Sequence, residues 1–70
     1  MKILLRNLRT GHYYTQNGQW TPEAGQAHDF KTSLSAIRLV VTAHLDAVEF
    51  VYSFADPREN FILPAPRPSY

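Results

Sequence analysis

The histidines His12, His28 and His44 and the serines Ser33, Ser35 and Ser53 are the side chains with which this sequence could hold a metal or attack a carbonyl. Zinc sites draw on close pairs such as His-x-His, or on His at i and i+4 of a helix, completed by Cys, Asp or Glu. The three histidines show neither spacing. His28-Asp29 and His44-x-Asp46 each offer a ligand pair and no more, and the adjacent residues of the first point to opposite sides of extended chain. The expectation is therefore no metal and no cofactor.

Nucleophilic chemistry is equally poorly served. There is no Gly-x-Ser-x-Gly elbow and no cysteine, and Ser33 reads as a helix cap. Gly11, Gly18 and Gly25 stand seven residues apart and fall in turns, so they do not form a phosphate-binding loop. A chain of 70 residues could enclose a substrate only at a subunit boundary. The sequence reads as non-enzymatic.

Two other chemistries remain. Lys2, Arg6, Arg9, Tyr13, Tyr14 and Trp20 mix cations with rings on what read as adjoining strands, the composition of sheet surfaces that stack unpaired bases. Residues 1–21 carry these three bases and no acid, while residues 22–70 carry four bases and six acids, and the whole chain has a net charge of +1. That asymmetry is mild for a nucleic-acid surface. The favoured reading is protein association. Alternation along the first strand sets Ile3, Leu5 and Asn7 on one side and Lys2, Leu4, Arg6 and Leu8 on the other, and Phe61, Ile62 and Leu63 repeat this two-sided apolar character. Leu4, Leu8, Phe61 and Ile62 are the expected interface residues of a homodimer, because exposed apolar patches in soluble proteins mark contacts. A monomer whose Pro-rich tail covers the patch is the competing expectation.

The elements that must position these residues follow from turn chemistry and periodicity. Lys2–Arg9 reads as a strand closed by Gly11, His12–Gln16 returns antiparallel to Asn17-Gly18, and Gln19–Thr21 can add a third short strand. Thr21-Pro22-Glu23 starts a brief helical turn that Gly25 stops. Residues 27–31 are extended and anchor Phe30. Thr32 or Ser33 then caps the one true helix, expected from about Ser33 to His44, with Leu34, Ile37, Val41 and Leu45 as its buried stripe. Val48, Phe50, Tyr52 and Phe54 alternate with Glu49, Val51 and Ser53 in the clearest strand, Asp56-Pro57-Arg58 turns, and Phe61–Leu63 can return. The expected fold is α+β: an antiparallel sheet of about four strands with one helix on one face, in one domain over residues 1–63, followed by an extended tail over 64–70. Expected core residues are Leu5, Trp20, Phe30, Leu34, Ile37, Val41, Val48 and Phe50.

Trp20, Ala27, Phe30, Thr32 and Ala36 stand in a Trp…Ala-x-x-Phe-x-Thr-x-x-x-Ala order, followed by an amphipathic helix and a Val-rich strand. Over Gly18 to Tyr52 this resembles several families of short bacterial proteins of unassigned function. The resemblance implies a small sheet carrying one helix, and it implies no activity. No run of apolar residues matches a secretory signal or a membrane helix, since Arg6 interrupts the first and Arg38, His44, Asp46 and Glu49 break the richest. A cytoplasmic protein without membrane contact is expected.

Overall fold

The computed structural model describes residues 1–65 and shows a five-stranded antiparallel sheet with one α-helix. In chain order these are β1 (Lys2–Asn7), β2 (Tyr13–Tyr14), β3 (Trp20–Thr21), α1 (Ser33–Thr42), β4 (Val48–Ser53) and β5 (Phe61–Pro64). Across the sheet the order is β3-β2-β1-β4-β5. The α+β architecture is the expected one with one strand more. The expected tail loses its first residue to the sheet, since Pro64 closes β5, and its remainder from Pro66 onward lies outside the described residues.

The turns have local causes. Gly11 and Gly18 take φ of +75° and +79°, which a Cβ would resist, and so allow the two tight returns that make β1, β2 and β3 a meander. Asn7 Oδ1 accepts from the Arg9 amide at 2.8 Å and fixes the first return. Short 3₁₀ turns occupy Ala24–Gln26 and Pro57–Glu59, the second held by Asp56 accepting from the Arg58 amide.

Between β3 and α1 the chain runs extended beside β1. The Phe30 amide donates to the Ile3 carbonyl at 2.9 Å, and Asp29 Oδ1 accepts from the Ile3 amide at 3.1 Å. Phe30 is thereby carried into the core, which consists of Ile3, Leu5, Phe30, Ala36, Val40, Val48, Phe50 and Tyr52. The backbone carbonyl and amide of Ile3 are satisfied by this segment, where an unpaired pair would be costly.

Thr32 is the N-cap of α1, its Oγ1 accepting from the Ser35 amide at 3.2 Å. The helix ends two residues earlier than expected because His44 turns left-handed, with φ of +52°. The His44 amide donates to the Val41 carbonyl and the Leu45 amide to the Val40 carbonyl, the paired bonds of a Schellman end.

The buried stripe of α1 differs from the expected one. Ala36 and Val40 face the sheet and Ile37 is half-buried, whereas Leu34 and Val41 are 59% and 60% exposed. The helix is apolar around most of its circumference, so spacing admits two stripes sharing Ile37. The phase is set by tertiary anchors: Phe30 held in the core just before the helix, and the 2.7 Å hydrogen bond between Ser33 Oγ and the Tyr52 hydroxyl of β4. Small Ala36 at the contact lets the helix lie close to β1.

Candidate interaction surface

Each strand's register assigns its side chains to a face. Leu5 opposes Phe50 and Ile3 opposes Tyr52 on the helix side, while Leu4 opposes Val51 and Val51 opposes Ile62 on the open side. The four expected interface residues therefore do not behave alike. Leu4 is only 4% exposed and is no free contact. Its strand lies third among the five, between β2 and β4, instead of at an edge, and Lys2, Arg6 and Val51 surround it on the open face. Leu8 lies just past β1 and is half-exposed. Phe61 and Ile62, at 44% and 49%, are exposed on opposite sides of β5, and Leu63 joins Phe61 at 45%.

Phe61 stacks on Tyr52 with ring centroids 4.6 Å apart and planes 7° apart. Since Tyr52 also bonds Ser33, the β5 surface runs without a break to the first turn of α1. The flank of α1 that leans toward β4 carries Ser33 and Ile37, and Leu34 and Val41 lie next around the helix on that side. Leu34 and Val41 were expected in the core and not at a surface, whereas Leu63 belongs to the strand already read as apolar on both sides. The signal available for Leu34 and Val41 was the excess of apolar residues in α1, more than one face can bury.

The basic and aromatic set is divided by the fold. Tyr13 opposes Arg6 on the open face, but Tyr14 lies on the helix side, edge-on to Trp20 at 5.4 Å and near Phe30 at 6.1 Å. Arg6 is bound to Glu49, with Nε to Oε2 at 2.6 Å and Nη2 closing the same contact. That hydrogen bond raises the Arg6 pKa above its ordinary value despite partial burial, with Tyr13 adding to it. Glu49 thus neutralises the central cation of the set. Arg9 lies 4.0 Å from Asp46 with both side chains largely in solvent, a pair worth little. Lys2 is exposed at the other end of β1.

The residues weighed for chemistry are occupied by structure. His28 packs edge-on to Phe30 at 4.7 Å, His44 ends the helix and His12 follows the first turn. Among the described residues no three His, Asp or Glu side chains are grouped to hold a metal ion, and no buried side-chain polar atom lacks a partner. Ser33 bonds Tyr52, Ser35 accepts from Thr32, and Ser53 ends β4. The open depression between the Thr15–Gln19 turn and Gln26 is lined by amides, threonines and Trp20, with no acid or base. No helix among the described residues is long and apolar enough to cross a membrane.

No protein-family model matches the chain, and neither the curated proteins nor the solved structures give a match. The Trp…Ala-x-x-Phe-x-Thr-x-x-x-Ala pattern has structural work for most of its members: Phe30 and Ala36 are core, Thr32 is the cap, and Trp20 packs on Tyr14.

Proposed function

We propose that this chain is a non-enzymatic association module that pairs with a second copy of itself through the surface around β5. The observation that carries the reading is the state of Phe61, Ile62 and Leu63: three consecutive large apolar residues, each close to half exposed, on the outermost strand of an open sheet. A strand apolar on both sides and only half covered on either is a liability for a soluble monomer. Full burial of such a side chain is worth about 1.5–3 kcal/mol, so covering the remaining half returns about 1 kcal/mol per residue. A chain without disulfides has reason to use it.

Sedimentation equilibrium between about 1 and 100 µM tests the proposal. A species of twice the 8.0 kDa chain mass is expected, shifting to monomer when Phe61→Ser and Leu63→Ser are combined. An 8.0 kDa monomer across the whole range refutes it.

A further inference from the structure

Backbone hydrogen bonding decides which part of the β5 surface a second copy can use. The Ile3 amide and carbonyl are bonded to Asp29 and Phe30, on the side of β1 away from β4. By strict alternation, Lys2, Leu4 and Arg6 turn their backbone groups toward Ser53, Val51 and Glu49 of β4. The bond from the Leu8 amide to the Ala47 carbonyl agrees with this phase. Phe50 and Tyr52 must then bond toward β5, to Leu63 and Phe61, which leaves the backbone groups of Ile62 and Pro64 pointing outward. Pro64 has no N–H, and the Asn60 amide is taken by the Pro57 carbonyl. Among the described residues of β5, the outer edge offers one donor, the Ile62 amide. Proline on an outward-facing position is a means of blocking strand addition.

Resting on the association reading above, we infer that the second copy docks on the helix side of β5, against Phe61, Leu63, Leu34 and Val41, and does not extend the sheet edge to edge. These four side chains are 44–60% exposed, which amounts to an apolar centre on the order of 300–400 Å². That is close to half of the roughly 800 Å² a standard interface takes from each partner, leaving a polar rim of ordinary size. The rim carries charges of both signs. Arg38 is exposed on α1 between Leu34 and Val41, and Glu59 is exposed in the turn entering β5. In a two-fold arrangement that sets α1 of one copy against the turn entering β5 of the other, Arg38 faces Glu59 twice, so a second copy of this chain can offset both charges.

Three proteins compared by sedimentation equilibrium, with far-UV circular dichroism as the check on folding, test this. Ile62→Pro removes the one outward donor and leaves the Phe61 and Leu63 bonds to β4 intact. It is expected to change the dimer dissociation constant by less than about threefold, whereas Leu34→Ser with Val41→Ser weakens the dimer by at least tenfold. If Ile62→Pro abolishes the dimer and the serine pair leaves it unchanged, the docking face is wrong while the association reading stands. If the unsubstituted chain is monomeric throughout, both fall. Should the serine pair lower helicity, Arg38→Glu supplies the test from a solvated position. Weakened dimerisation, restored when Glu59→Arg is added, supports the docking face, and an unchanged constant overturns it.

Discussion

Replacing His44 by glycine should stabilise the protein. His44 sits at the residue after the C-cap of α1, with φ of +52°, and its amide and that of Leu45 make the two bonds that close the helix. A left-handed conformation costs an L-residue about 1–2 kcal/mol. Glycine escapes that cost but gives up about 0.5–1 kcal/mol through its freer unfolded chain. The difference favours His44→Gly by about 0.5–1 kcal/mol, which for a domain of this size raises Tm by roughly 2–8 °C. Thermal unfolding followed by circular dichroism at one fixed, low protein concentration reads this directly. His44→Ala is the necessary companion: it removes the imidazole but keeps the Cβ, so its Tm should stay near that of the parent. If alanine and glycine raise Tm equally, the imidazole and not the backbone was the source of strain. If glycine lowers Tm, the helix end is not held in the left-handed form.

Phe30→Ala should cost about 3–5 kcal/mol in denaturant unfolding, because Phe30 is core and also backs Tyr14 and His28; a loss below about 1 kcal/mol would mean the extended segment does not anchor it. The phase of α1 predicts opposite outcomes for neighbouring positions. Ala36→Leu overpacks a fully buried site and should cost about 1–3 kcal/mol, while Leu34→Ala, measured dilute enough to avoid association, should stay within about 0.5 kcal/mol. Asp29 is held below its ordinary pKa of 3.8, first by accepting from the Ile3 amide and then from that of Lys31. Its folded value is the lower one, so its contribution is complete above the unfolded value and is lost as pH falls through the folded one. The stability gap between the parent and Asp29→Asn should therefore close as pH is taken below 3.8, and a gap independent of pH between 6 and about 2.5 would refute that account.

What the sequence disclosed depended on how many local signals agreed. β4 was legible almost to the residue because Val48, Phe50 and Tyr52 alternate with Glu49, Val51 and Ser53 over a full strand, and its burial follows except at Val51, which is also buried. The stretch from Trp20 to Ala36 was legible as wiring because turn, anchor and cap residues each have one local use. The stripe of α1 was not, since Leu34, Ile37 and Val41 are larger than Ala36 and Val40 and periodicity cannot tell which set the sheet selects. That selection is made by Phe30 and by the Ser33–Tyr52 bond, contacts between segments distant in the chain. Leu4 was misjudged for a related reason. Nothing local shows that the first strand becomes the middle of the sheet, with Leu4 of its second face 4% exposed. Arg6 and Glu49 are 43 residues apart, so the pairing that divides the basic set is equally hidden.

The central place of β1 has a consequence for how the chain acquires its structure. Its pairing with β2 closes across a short turn, but its ladder with β4 joins residues more than forty positions apart. Closing that distance is opposed by chain entropy until α1 and β4 exist to reward it. During synthesis Ile3, Leu4 and Leu5 therefore emerge early and wait, with one ladder formed at most, while the rest of the fold is made. Three side chains that are at most 4% exposed in the finished molecule are, for that interval, an uncovered adhesive segment, flanked by the charges of Lys2 and Arg6 in the way that gatekeeper residues flank apolar strands.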